Sequence, residues 1–226
     1  MSDALRRQYH GEGLIESELA ATPWEQARGW VDDAVYRSAQ RDDVPEPLAM
    51  SLATIDAAGR PDVRTVLLRF FDPSGPGFVS NLESAKGVQI AANPAVAAAI
   101  VWPAMYRAIR FRGVARPLGR GEVERYFRER PWGSRIGAWA SQQSRVIEDR
   151  SALEEAYKRY AAKWPDHGQP TDVPVPRSWG GFRITCDELE FWAGRTSRLH
   201  DRLVFVRVGV GGLDDASAWR VERRQP

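Results

Sequence analysis

The chain has 226 residues, with 32 Lys and Arg against 30 Asp and Glu, a formal charge of +2, and a hydrophobic fraction of 43%. Its mean hydropathy is −0.46, the profile of a soluble globular chain long enough to bury a substantial core, and it excludes disordered and polyanion-coating classes. The longest apolar run, Ala95 to Trp102, is far too short to span a bilayer, and Met1 to Tyr9 is charged where a signal peptide needs an apolar stretch, so the expected address is the cytoplasm.

Thr22-Pro23-Trp24-Glu25 has the form of a capping box with proline at the first helical position, and apolar residues at helical spacing predict a helix from Pro23 to Gln40. From Pro47 the texture changes to short antiparallel strands: Ala49 to Ile55, Val63 to Phe71 and Phe78 to Asn81, separated by Gly- and Pro-containing turns. Ser84 caps a short helix carrying Lys86, and Ala95 to Trp102 and Tyr106 to Ala115 read as two longer strands around Pro103. Helical spacing returns over Gly121 to Arg130 and Ser151 to Trp164, the latter opened by the box Ser151-Ala152-Leu153-Glu154. After a proline-rich loop, Gly181 to Cys186, Glu188 to Trp192, Leu203 to Val208 and Trp219 to Glu222 supply closing strands. Many short strands, interleaved helices and no βαβ rhythm predict a mainly β, α+β architecture: an antiparallel barrel with peripheral helices.

One cysteine, Cys186, and three dispersed histidines leave no disulfide and no metal-ligand pattern. No Rossmann, Walker A or nucleophile-elbow spacing occurs. Three polar groups stand out instead. Arg198-Leu199-His200-Asp201-Arg202 leads into an apolar strand; in extended geometry Arg198, His200 and Arg202 share a face beside Glu190-Phe191-Trp192, as an anionic flat ligand would need, or the stretch is a solvated strand end with Asp201 neutralising an arginine. Arg64 and Arg69 are five apart and point to opposite faces of a regular strand unless its end bends around a ligand; Ser80, Ser84 and Lys86 follow, hydroxyls and an amine suited to a phosphate monoester. Tyr126 and Arg130 share a helix face, Ser134 lies one turn beyond, and Gln142, Gln143 and Ser144 form a polar run. Lys86 is one of only three lysines among the 32 basic residues. Balanced charge speaks against a nucleic-acid partner.

The stretch Glu190-Phe191-Trp192 with Arg198-Leu199-His200-Asp201-Arg202 closely resembles the signature of the pyridoxine/pyridoxamine 5′-phosphate oxidase family, and Leu5 to Tyr9, Arg64 to Leu68, Ser84 to Gly87, Arg130-Pro131, Ile136 to Trp139, Ser178 to Phe182 and Gln225-Pro226 extend the likeness over nearly the whole chain. The resemblance implies a split β-barrel homodimer with FMN at the subunit interface, a single domain over residues 23–226, and an N-terminal segment, 1–22, that closes over the substrate. It implies that Arg64, Thr65, Val66, Leu67, Leu68, Ser80, Lys86, Gln143, Ser144, Trp192 and Arg202 hold FMN. Arg69, Tyr126, Arg130 and Ser134 would hold the substrate phosphate, with Arg6, Arg7, Gln8 and Tyr9 closing over it, and Arg198 and His200 would be catalytic, against the pyridine ring. The activity implied is oxidation of pyridoxine or pyridoxamine 5′-phosphate to pyridoxal 5′-phosphate, with O₂ as acceptor and H₂O₂ as product. Arg69 stands where the family commonly has lysine, Val79 where it has an aromatic, Ala85 where it has arginine and Ala108 where it has glutamine. Those departures leave two alternatives: a sibling flavin oxidase for another aromatic substrate such as a reduced phenazine, or a non-catalytic flavin or pyridoxal-phosphate binder.

Overall fold

The computed structural model describes residues 9–226. Helix α1 (Pro23–Gln40) starts as the capping box requires, with the Thr22 side chain accepting from the Glu25 N–H, and it buries Ala27, Trp30, Val31 and Ala34 against the sheet. The strands are β1 (Ala49–Ile55), β2 (Pro61–Leu67), β3 (Phe70–Asp72), β4 (Gly75–Asn81), β5 (Ala95–Trp102), β6 (Arg107–Pro117), β7 (Trp179–Ala193), β8 (Asp201–Arg207) and β9 (Trp219–Arg223). All pairings are antiparallel, in the order β2-β1-β5-β6-β7-β4-β3, with β8 added to β7 and β9 to β8. The sheet curls into a split barrel: β2 and β4 approach one another without pairing. Met50, Leu52, Phe78, Ile100, Ile109, Phe111 and Phe191 fill its interior. The antiparallel barrel with peripheral helices expected from the strand pattern is what forms.

A second, smaller core lies outside the barrel. Helices α3 (Arg120–Glu129), α4 (Trp132–Ala140) and α5 (Arg150–Lys163) pack Val123, Phe127 and Ile136 against Trp179 at the start of β7. Helix α2 (Ala85–Ala92) sits over β1, with Ser84 as its N-cap. Among the described residues no helix is long and apolar enough to cross a membrane.

Several sequence expectations are corrected. The single strand predicted over Val63 to Phe71 is two, because Leu68 and Arg69 turn the chain from β1 toward β4: the Leu68 N–H bonds the Leu48 carbonyl and the Arg69 N–H the Gly77 carbonyl. The segments Gly181 to Cys186 and Glu188 to Trp192 are one strand with a bulge, since Gly113 pairs with Cys186 while Arg112 pairs with Glu188, leaving Asp187 as the extra residue. The cap of α5 is Asp149, whose carboxylate accepts from the Ala152 N–H and the Ser151 hydroxyl, so the Ser151 box does not operate. Helix α4 was not foreseen. Nor is Arg198 to Arg202 extended throughout: Thr196–Arg198 is a 3-10 turn, with Ser197 and Arg198 left-handed at φ 57° and 65°, and the strand begins at Asp201.

Candidate functional site

Polar side chains from four segments meet around Lys86. The residue belongs to the first turn of α2, and its Nζ donates to Ser80 Oγ at the end of β4 (3.2 Å), Ser84 Oγ at the cap (3.3 Å) and Gln143 Oε1 (3.2 Å). Lys86 is only 7% exposed, and among the described residues none of its hydrogen-bond partners is a carboxylate. Burial pushes its pKa below the ordinary lysine value, the nearby Arg64 charge adds to that shift, and Asp62 partly opposes it. Arg64 enters from β2. Its guanidinium is fixed by the Leu52 carbonyl (3.2 Å), Thr54 Oγ and Gln89 Oε1 (3.0 Å), and it pairs with Asp62. A cationic pair bordered by hydroxyl and amide groups results, in the gap where the barrel is split.

Arg64 shares its face of β2 with Val66, while Thr65 is exposed on the other face and Leu67 is partly exposed. Leu68 is buried. Because β2 is an edge strand, part of its backbone N–H and C=O row is unpaired and available to a ligand. Ser144, beside Gln143, is exposed with φ 74°, and its hydroxyl makes no hydrogen bond among the described residues. The sequence reading missed Thr54 and Gln89; Gln89 lies three residues after Lys86 on the same helix, a spacing that shares a face.

The second predicted group also assembles. Arg69, Tyr126, Arg130 and Ser134 line one cavity of about 580 Å³, with Leu67 and Val79 as apolar wall. The bend after Leu67 delivers Arg69, α3 carries Tyr126, Arg130 closes that helix, and Ser134 lies in the first turn of α4. The Arg130 guanidinium stacks over Trp179, 4.3 Å from the ring centroid, and its Nη1 is buried without a hydrogen-bond partner among the described residues. Burial lowers its pKa, Tyr126 opposes that shift and the Arg69 charge reinforces it. A buried donor left without a partner costs about 1–3 kcal/mol, and Arg130 also lines the cavity, where its charge favours an anion. The stacking Trp179 was not singled out from sequence as part of this pocket.

The third group gathers at the far end of β7. Ala108, Trp192 and Arg202 form one cross-strand row over β6, β7 and β8 on the face away from the core, and the next row carries Arg110 and Glu190. Arg202 binds Glu190 through both Nε and Nη2, at 2.9 Å each. His200 packs 4.7 Å from Trp192 and 5.2 Å from Tyr9, and the Arg198 guanidinium lies 5.0 Å from the Tyr9 ring. The Arg195 N–H donates to His200 Nδ1 (3.1 Å), which requires a lone pair there and leaves the proton on Nε2. Burial and the Arg198 charge lower the His200 pKa, against Asp201, which favours the neutral ring.

Asp201 points the other way. Its carboxylate accepts from the Leu14 N–H (3.0 Å), Arg195 and Arg223, and Arg223 also holds Glu16, so the motif's acid anchors the segment that carries Tyr9. Burial alone would raise the Asp201 pKa, but these donors outweigh it and hold it below the ordinary aspartate value. Arg6, Arg7 and Gln8 lie outside the described residues.

The first two groups flank β4, where Val79 lines one and Ser80 the other. The third does not join them within one chain. Trp179, under Arg130, and Trp192, beside His200, are at opposite ends of β7, roughly 40 Å apart along the strand at about 3.3 Å per residue.

Two family models match the chain: one described as pyridoxamine 5′-phosphate oxidase over residues 37–163, the other as the pyridoxine 5′-phosphate oxidase C-terminal dimerisation region over residues 179–226. The pyridoxine/pyridoxamine 5′-phosphate oxidase of Kineococcus radiotolerans is 46% identical over 98% of this chain and 97% of its own. That of Streptomyces avermitilis is 46% identical over 99% and 95%. Among solved structures, PhzG from Burkholderia lata in complex with tetrahydrophenazine-1-carboxylic acid superposes with a TM-score of 0.81 at 26% identity, covering 96% of this chain and 99% of that one. With this fold and full-length similarity, the chain belongs to the pyridoxine/pyridoxamine 5′-phosphate oxidase family.

Proposed function

We propose that the protein is an FMN-dependent oxidase that converts pyridoxine or pyridoxamine 5′-phosphate to pyridoxal 5′-phosphate with O₂ as acceptor. The observation that carries this reading is the pair of cationic donor clusters on either side of β4, Lys86 with Arg64 and Arg130 with Arg69, in each of which the basic residues outnumber the single carboxylate, Asp62 in the first and Glu129 in the second. FMN fits the first: Lys86 and Arg64 would take its phosphate, with Ser80, Gln143, Ser144 and the edge-strand segment Thr65 to Leu68 around it. When bound, FMN supplies the two-electron acceptor and passes the electrons to O₂, chemistry the side chains do not have to provide.

The protein's own work is then binding and orientation. Arg69, Arg130, Tyr126 and Ser134 would hold the substrate phosphate, while Arg198 and His200 would lie against the pyridine ring, Arg198 as a fixed positive charge and His200 as an Nε2–H donor. Tyr9, held by the Asp201 and Arg223 anchor, would help exclude water from that ring. Because Trp192, Arg198, His200 and Arg202 lie at the opposite end of β7 from the phosphate clusters, a second copy of the chain would supply them, consistent with the dimerisation region matched over residues 179–226.

The similarity to PhzG favours a second reading, a sibling oxidase for a reduced phenazine. Turnover of pyridoxine and pyridoxamine 5′-phosphates against a tetrahydrophenazine carboxylate decides between them. Activity on the phosphates alone is the expected outcome; preference for the phenazine would overturn the proposal, and flavin binding with neither activity would indicate a non-catalytic binder.

A further inference from the structure

We infer that Glu190 is a positioning residue for the flavin site, aiming Arg202 by a two-point clamp. The inference rests on the proposed role of Arg202 in holding FMN. Glu190 is only 6% exposed and accepts from Arg202 Nε and Nη2, both at 2.9 Å, the side-on fork geometry that fixes a guanidinium plane. The third nitrogen, Nη1, donates to the Gln225 carbonyl (2.9 Å), so the tail following β9 braces the same group. Nε is thereby spent, and each terminal nitrogen keeps one N–H free, both in a plane the clamp has set.

Glu190 is itself held. Arg110 Nη2 donates to its Oε2 (2.6 Å) from β6, and Glu188 steadies Arg110 at 3.0 Å. Arg202 is thus fixed by a carboxylate that cannot swing, in the same cross-strand row as Trp192 and the small Ala108. An unclamped arginine side chain would have to be ordered by the ligand, at a cost in rotamer entropy.

The test is a thermodynamic cycle read as FMN affinity, by flavin fluorescence quenching on titration of the empty protein. The variants are Glu190→Gln, Arg202→Ala and the pair together. Arg202→Ala and Glu190→Gln should each raise the dissociation constant about tenfold, and the double variant should bind no more weakly than Arg202→Ala alone, because Glu190 acts only through Arg202. Independent, multiplying effects, or Glu190→Gln at wild-type affinity, would overturn the clamp. Wild-type affinity in Arg202→Ala would instead remove Arg202 from the flavin site and the inference with it. Should Glu190→Gln fail to fold, Glu190→Asp reads the same point: the shorter carboxylate keeps the charge but cannot reach both guanidinium nitrogens, so weaker binding supports positioning, and unchanged binding contradicts it.

Discussion

Lys86 gives the sharpest separation between a ligand role and a structural one. Replacing it by methionine keeps most of the volume and removes the charge. Lys86 is buried among neutral oxygens beside Arg64, with no carboxylate partner among the described residues, so it is held at a cost. Lys86→Met should therefore melt at a temperature no lower than the wild type without flavin. With FMN the sign reverses: losing one charge-assisted phosphate contact costs about 1.5–3 kcal/mol, roughly a 10- to 150-fold rise in the dissociation constant. The assay is fluorescence titration paired with thermal melts, with and without FMN. The pH dependence carries the same sign: the Lys86 pKa is depressed, so FMN affinity in the wild type falls as pH rises through that value, below the ordinary lysine range, and the methionine variant lacks that limb. A variant that loses stability when empty but binds FMN as well as the wild type would refute the reasoning.

Arg130→Leu should raise KM for pyridoxine 5′-phosphate tenfold or more with a smaller change in kcat, since it removes a cationic side chain lining the cavity, while the ligand-free protein gains stability from losing a buried charge. Steady-state kinetics and melting curves read the two effects. Arg198→Ala should lower turnover at least tenfold while most flavin stays bound, as absorbance of the purified variant will report. His200 accepts at Nδ1 and its pKa is lowered, so the acid limb of the kcat profile should fall below the ordinary histidine value of about 6.5 and be absent in His200→Asn. Asp201 has a depressed pKa, so its contribution to stability is present above the ordinary aspartate value and is lost as pH falls through the lowered one; Asp201→Asn should flatten that part of a melting-temperature profile.

Regular segments were legible because one physical signal dominated each. The capping box and Pro23 mark the start of α1, and β1 and β5 match the expected bounds at both ends, their edges set by turns and by apolar content. Helix α4 escaped because Pro131, Gly133 and Gly137 weaken the local helical signal; its stability comes from Ile136 packing in the second core and from Arg135 bonding the Gln169 and Pro170 carbonyls. The polar Asp187 and Glu188 suggested a break in β7 where the chain bulges and continues. Strand periodicity carried upstream of Asp201 put Arg198 in an extended segment, whereas two left-handed residues turn it away.

The candidate site was legible by residue type and not by partnership. Lys86 with Ser80 and Ser84, and Tyr126 with Arg130 and Ser134, do converge, because helix spacing and one hairpin decide their neighbours. Long-range partners could not be read. Arg202 is bound to Glu190 through an antiparallel register, and Asp201 reaches back to Leu14, 187 residues away. The orientation of Arg69 depended on a bend that alternation along a strand does not encode.

The central claim is tested most directly by adding pyridoxine 5′-phosphate to the flavin-loaded protein without oxygen. The flavin absorbance should bleach, with one pyridoxal 5′-phosphate formed per flavin, and should return on admitting air as H₂O₂ appears. A fully loaded protein whose flavin neither pyridoxine nor pyridoxamine 5′-phosphate can reduce would contradict the proposed activity.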